Sequence, residues 1–346
     1  YEEISGPPTP DVLNRLKDAF GYEGLGILVV SNVPTYEEKR EAALPLAHKL
    51  GSLPESVLAT MESPETFYQF GWSRGREMLE GGVPDYSKGS FYANPLHDKP
   101  VSDPTLVAKY ASFYSPNIWP TASMPELEPA FKGMGRLVAS VGRMVAAHCD
   151  ALVSRELPSY KPRVQDILTN SRMCKGRLLH YFPAGPDAAA SESSWCGWHN
   201  DHGSLTGLCG AMYFDADGNR VDNPDPNAGL YIKSRQGDTV HVVAPPGTLA
   251  FQIGECTQIH TGGVLQATPH AVRAAAVPGV SRSTMAVFME PETSYPMTIP
   301  EGANPERVVR GTRGELLPPS VPPLASRWNP DQDFAEFTDA TLSAYH

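Results

Sequence analysis

The spacing of apolar residues changes partway along the chain. Val12, Leu13, Leu16 and Phe20 share one helical face with Pro10 just ahead, which predicts a helix over 11–20. The β-branched run Gly24–Val30, closed by Asn32 and Pro34, reads as a buried strand. Helical spacing returns from Tyr36 to Leu50 and stops at Gly51, and Pro45 within it predicts a kink or a split. Residues 62–120 are crowded with Pro, Gly, Tyr and Ser and show little period, so ordered loops are expected there. The strongest helical stretch is 124–157. In it Phe131, Met134, Leu137, Val138, Val141, Met144, Val145 and His148 recur every three or four residues. Its Met and His residues read as core, not as ligands, and Pro158 and Pro162 end it.

From residue 176 the period becomes two. Short apolar runs at 177–182, 205–214, 229–233, 239–243, 248–253, 265–274 and 284–289 alternate with turn formers, a spacing that suits a sandwich or jelly roll. Asp215–Asn219 is a turn, 303–330 is rich in Pro and Arg, and Phe334 to Tyr345 reads as a closing helix. Three regions follow: a mixed α/β and helical part over 1–165 packed on a core, the β core over 166–300, and a loop and helix over 301–346.

Composition narrows the function. The 346 residues are 41% apolar and 19% charged, enough for a large core, while 30 Gly and 34 Pro imply many turns without the Pro and Gly content of disorder. Acidic residues outnumber basic ones 39 to 28, for a net charge of −11, which argues against binding a phosphate backbone. There is no apolar run of about 18 residues, so no membrane span is expected. The five cysteines are odd in number and form no C-x-x-C, so buried reduced thiols in the cytoplasm are expected, not disulfides or a zinc cluster. A monomer is expected.

The informative stretch is Trp198-His-Asn-Asp-His-Gly-Ser-Leu-Thr206. On a strand, residues two apart share a face, so His199 and Asp201 would lie side by side. An imidazole and a carboxylate so placed are two of the three ligands of a 2-His-1-carboxylate iron site. His202, His241, His260 and His270 are candidates for the third. His202 points away if the strand continues, and His241 sits in a strand-like Thr-Val-His-Val-Val. Twelve residues after His270 comes Arg282-Ser-Thr284, whose arginine fork could hold a dicarboxylate. That order selects His270.

With Pro246-Gly-Thr-Leu-Ala-Phe-Gln-Ile-Gly254, these motifs make the chain resemble the Fe(II)/2-oxoglutarate-dependent dioxygenase superfamily, in its isopenicillin N synthase-like branch. Weaker likenesses, at Asp85–Phe91 and Phe334–Phe337, spread the resemblance over nearly the whole chain. It implies a mainly β fold with α-helices: a double-stranded β-helix, or jelly-roll, core over 166–300 flanked by helices. It implies Fe(II) on His199, Asp201 and His270, and the cosubstrate 2-oxoglutarate on Arg282 and Thr284. O2 and a small organic molecule would be the other reactants, with a C–H bond oxidised and succinate and CO2 released. Trp198, Tyr181, Phe182 and Phe91 are the candidate lining of the substrate pocket. Arg172, Lys175 and Arg177 form a basic cluster that an anionic substrate would suit, though solvated surface charge is the preferred reading. The sequence departs from the common pattern at Ala271, where many members carry arginine, at Thr284, where serine is usual, and at Phe182, where tyrosine often touches the cosubstrate. The competing readings are an Fe(II)/O2 oxidase that needs no 2-oxoglutarate and a non-catalytic binding protein on the same fold.

Overall fold

The period-two runs become two antiparallel sheets. The computed structural model describes residues 1–79, 83–183, 194–273, 275, 277–312 and 317–345. The expected run 265–274 ends on Ala274, which lies outside them. The strands in chain order are β1 (Ile27–Val30), β2 (Gly71–Arg74), β3 (Met78–Leu79), β4 (Val83–Pro84), β5 (Lys88–Ala93), β6 (Cys174–Tyr181) and β7 (Ser194–His199). Then follow β8 (Leu205–Cys209), β9 (Met212–Phe214), β10 (Arg220–Val221), β11 (Gly229–Lys233), β12 (Thr239–Val242), β13 (Leu249–Ile253), β14 (His270–Arg273) and β15 (Ser281–Met289). The larger sheet is ordered β1-β13-β8-β15-β6-β5-β2, with β9 on the end of β15 and β10 beside β9; the smaller is β12-β11-β14-β7.

One face of the larger sheet is covered by the helices Leu127–Glu156 and Tyr36–Gly51. Phe131, Met134, Val138, Val141 and Val145 of the long helix are buried against it. The approach is close: a Cβ on Gly207 of β8 would lie 2.2 Å from Val138, and one on Gly176 of β6 would lie 2.6 Å from Phe131. His148 is buried with Nδ1 3.0 Å from the Met144 carbonyl, a core histidine as expected. Among the described residues, Leu127–Glu156 is the helix long and apolar enough to cross a membrane, and 61% of its apolar window is buried inside the protein. The other face of the larger sheet meets the smaller one across Leu179, Tyr181, Tyr213 and Ala286, with Leu208, Val272 and Phe288 beside them.

Local chemistry explains most boundaries. Thr9 caps the helix Pro10–Phe20 and proline opens it. Asp333 and Glu336 form a capping box on Phe334–Ala344. Several expectations need correcting. Tyr36–Gly51 is one helix through Pro45. The proline removes only the bond to the Glu41 carbonyl, and Glu41 is on the exposed side where solvent is at hand. The run 205–214 is two strands. The Arg40 guanidinium donates to the carbonyls of Gly210 and Ala211, and the Gly210 N–H donates to Tyr36 Oη, which draws the backbone out of the ladder. Within 62–120, β2 and β5 join the larger sheet, with β5 paired along β6. Their Gly and Ser residues hide the alternation. The run 265–274 is a strand only from His270, and a short helix, Glu255–His260, precedes it. The five cysteines are free, and four are buried.

His260 has no exposed surface, and its Nε2 lies 3.1 Å from the Pro296 carbonyl. Burial, helped by Arg163, holds its imidazole down at about 3. The unfolded chain would take up a proton near 6.5, so stability is lost as pH falls from there toward 3, by about 1.4 kcal/mol per unit. His180, held at about 3 by burial, adds the same trend. His260→Gln keeps a donor without titrating. Its urea midpoint should fall less between pH 7 and pH 5 than that of the parent chain, and equal slopes would refute this account.

Candidate metal centre

The smaller sheet sets two imidazoles side by side. In the β14–β7 pairing His270 stands opposite His199, and their ring centroids are 4.3 Å apart. Asp201 joins them by a route that alternation did not predict. β7 ends at His199, and the chain leaves the ladder before the carboxylate. Even so, Asp201 Oδ1 lies 3.8 Å from His199 Nε2 and 3.9 Å from His270 Nε2. One donor atom from each of the three residues falls within 4.8 Å of the others. His260 and His241 are elsewhere. His241 stacks on Tyr231 with centroids 4.6 Å apart. His202 stacks on Phe334 and lies 4.0 Å from Glu290.

The donors fit a divalent ion. His199 Nδ1 is 2.8 Å from the Gly197 carbonyl and His270 Nδ1 is 3.4 Å from the Thr268 carbonyl. A carbonyl only accepts, so each Nδ1 carries the hydrogen and each Nε2 turns its lone pair to the centre. Asp201 Oδ2 is buried with no hydrogen-bond partner among the described residues, a costly state for a carboxylate oxygen unless a cation completes it. Burial holds the His270 imidazole down at about 4. Burial also opposes charge on His199, but Cys196 and Asp201 beside it overcome this and lift it to about 9, so an ion bound there would displace the Nε2 proton. Burial would raise Asp201, yet His270 and His199 keep it below the ordinary carboxylate value.

Sequence patterns did not reveal what fixes the ligand loop. The Glu255 N–H donates to the Asp201 carbonyl at 2.8 Å. Asn200 Nδ2 donates to Glu255 Oε1 at 2.9 Å, and the Asn200 N–H donates to Tyr345 Oη at 3.0 Å. Arg327 grips both Glu255 oxygens, at 2.5 and 2.6 Å, and the pair is fully buried. The partners are 72 residues apart, and no local pattern marks them.

Strand parity sorts the remaining candidates. Arg282, the second residue of β15, stands opposite Tyr181 of β6 and Tyr213 of β9, its guanidinium carbon 5.1 Å from the Tyr181 ring centroid, on the face toward the smaller sheet. Thr284 shares that face, and its hydroxyl donates to the Cys209 carbonyl at 2.8 Å. Trp198 is half-buried and next to His199 on β7, so alternation turns it to the opposite face. Phe91 and Phe182, expected in the pocket, pack on the helix side. Phe91 lies against Trp119 and Phe131, and Phe182 lies against His180 under the Arg74 guanidinium. Of the basic cluster only Arg172 is at the surface, paired with Glu292. Lys175 donates to the Ser112 carbonyl, and burial pulls its ammonium down to about 8. Arg177 is turned inward.

No family model matches the chain, and neither does any curated protein. Solved structures do. A 2OG-Fe(II) oxygenase family protein from Caulobacter crescentus superposes with a TM-score of 0.67 at 21% identity, over 97% of this chain and 93% of that one. A full-length Neurospora crassa protein, in complex with alpha-KG, gives 0.68 at 16% identity, over 100% and 94%. JOX2, in complex with 2OG, Fe and JA, gives 0.62 at 17% identity, over 96% and 81%. The chain has the fold of the 2OG-Fe(II) oxygenases. Its three clustered side chains lie between the two sheets of that fold.

Breaking the buried pair tests the ligand loop. Arg327→Met strands the Glu255 carboxylate in the interior, which should cost roughly 3–5 kcal/mol in urea unfolding. Divalent-metal affinity should fall with it, because Asp201 loses its brace. A stable variant with undiminished metal affinity would show that Glu255 holds the loop without Arg327.

Proposed function

We propose that this chain is an Fe(II)- and 2-oxoglutarate-dependent oxygenase that oxidises a C–H bond of a small organic molecule, releasing succinate and CO2. The observation that carries this reading is the convergence of His199, Asp201 and His270, with Asp201 Oδ1 3.8 and 3.9 Å from the two Nε2 atoms and Oδ2 without a partner among the described residues. We take the two sheets as the walls of a double-stranded β-helix, with 166–300 as the core and 1–165 and 301–346 as its extensions. Three strands of the first region, β1, β2 and β5, pair into the larger wall. Free thiols suit a reducing compartment such as the cytoplasm. The monomeric state remains part of the proposal.

When bound, Fe(II) supplies the redox chemistry with O2 and 2-oxoglutarate. The chain's own residues do the rest. His199, Asp201 and His270 would hold the ion. Arg282 offers a fixed planar fork to the distal carboxylate of 2-oxoglutarate, and the Tyr181 ring supports it. The Thr284 proton is engaged with the Cys209 carbonyl, so Arg282 bears more of that contact here than in a pattern with a free serine. The apolar wall of Leu179, Ala286, Leu208 and Val272 keeps water from the reacting centre. The Neurospora crassa protein and JOX2 are described with thymine and with JA, and we extend to this chain a small organic substrate in the same place.

His199→Ala and Asp201→Ala should lose iron and succinate formation together, and metal analysis showing full iron in both would defeat the assignment. Arg282→Lys keeps the charge but loses the fork. The 2-oxoglutarate KM should then rise roughly 10–100-fold, the equivalent of about 1.5–3 kcal/mol for a charged hydrogen bond. An unchanged KM assigns Arg282 elsewhere. Product oxidised without succinate would point to the oxidase reading instead.

A further inference from the structure

Four ionised side chains lie on the inner face of the larger sheet, where the metal centre does not use them. Arg177 of β6 and Lys88 of β5 are well covered, with side chains 15% and 9% exposed. Glu77 bridges them, Oε1 at 2.5 Å from Arg177 Nη2 and Oε2 at 2.8 Å from Lys88 Nζ. Asp85, 2% exposed, sits 3.0 Å from Lys88. Arg177 Nε donates to Ser90 Oγ, and its guanidinium lies 5.1 Å from the Tyr92 ring.

The position is telling. Lys88, Tyr181 and Arg282 are neighbours in one row across β5, β6 and β15, and Arg177 stands on the same face of β6 four residues before Tyr181, between Tyr92 and Ala286. On the opposite sheet Cys196, whose Sγ is 3.7 Å from His199 Nδ1, feels both cations. The acids differ from one another. Asp85 is locked inside and accepts from the Ser87 N–H and hydroxyl. Glu77 is the most exposed of the four, its side chain 44% accessible. The cleft there, lined by Ser73, Arg74, Glu77, Asp85, Lys88 and Ser90, has no room for a ligand group while Glu77 is in place. A ligand group enters only as the Glu77 carboxylate swings out.

We propose that Arg177 and Lys88 are the anchor for a carboxylate on the substrate, and that Glu77 holds its place in the free protein. This rests on the oxygenase reading above. Charge balance sets the class. Among the described residues, with Glu77 displaced, Asp85 still offsets Lys88 and one positive charge is left on Arg177, so the substrate group is a monoanion. The planar guanidinium and the neighbouring ammonium match the two oxygens of one carboxylate. Buried cations left without a counter-charge are costly, so either Glu77 or the substrate fills the site.

The test uses protein loaded with Mn(II) in place of iron and saturated with 2-oxoglutarate, which keeps added acids off Arg282. Small monocarboxylates from acetate to phenylacetate are titrated by calorimetry, each beside its primary amide. At least one acid should bind 10-fold or more tightly than its amide. Glu77→Gln should strengthen acid binding several-fold by weakening the competitor, and Arg177→Met should erase the preference for acids. Acids and amides binding alike, no binding of either even in Glu77→Gln, or an unchanged affinity in Glu77→Gln would each overturn the anchor. Succinate release by the iron-loaded protein is followed in parallel. Succinate formed without any acid preference rejects the anchor alone, whereas no succinate and no 2-oxoglutarate binding rejects the oxygenase reading and the anchor with it.

Discussion

Everything at the centre depends on the register of one strand pair. His270 lies opposite His199 because β14 and β7 are paired in that register and no other. A slip of one residue would turn one imidazole out of the cavity, since side chains alternate faces. The ladder is irregular just beyond, between His270 and Val272, so the pairing of His270 with Ile232 on β11 carries the alignment from the other side. Ile232 is fully buried, which resists any slide that would expose it.

The carboxylate is held by different means. Asp201 lies past the end of its strand, where alternation no longer positions anything. The start of the helix Glu255–His260 and the closing helix Phe334–Ala344 take over, through the Glu255–Arg327 pair and the Tyr345 hydroxyl. Buried ion pairs contribute little net stability, because desolvation offsets their attraction. Their value here is geometric: a charge that cannot be left alone fixes the loop that bears it. The C-terminal segment, remote in sequence, thereby bears on the ligand set.

The two faces of the larger sheet divide the labour. Glycines at 176 and 207 let the long helix approach on one face, so the core there is dry and apolar. The inner face carries Arg282, Thr284, Lys88 and Arg177 among apolar neighbours. Neutral and charged groups on that face act through little intervening water, which strengthens each interaction and penalises each unmatched charge.

The sequence by itself determined the helices, most of the β core and the three clustered residues. Strong 3.6 and 2.0 periods survive any packing, and His-x-Asp followed by a distant His and Arg-x-Thr is a pattern of residue kinds. It did not show β2 and β5, whose Gly and Ser residues carry no alternating signal, nor the break at Gly210, which depends on Arg40 and Tyr36 from a helix 170 residues away. It also placed Phe91 and Phe182 wrongly, and Lys175 and Arg177 in solvent. Which face of a strand turns inward is decided by the layer packed against it, and that layer is non-local. The brace on Asp201 and the charge cluster at Arg177 exist only once segments distant in the chain meet, because a buried charge finds its partner in space and not in sequence.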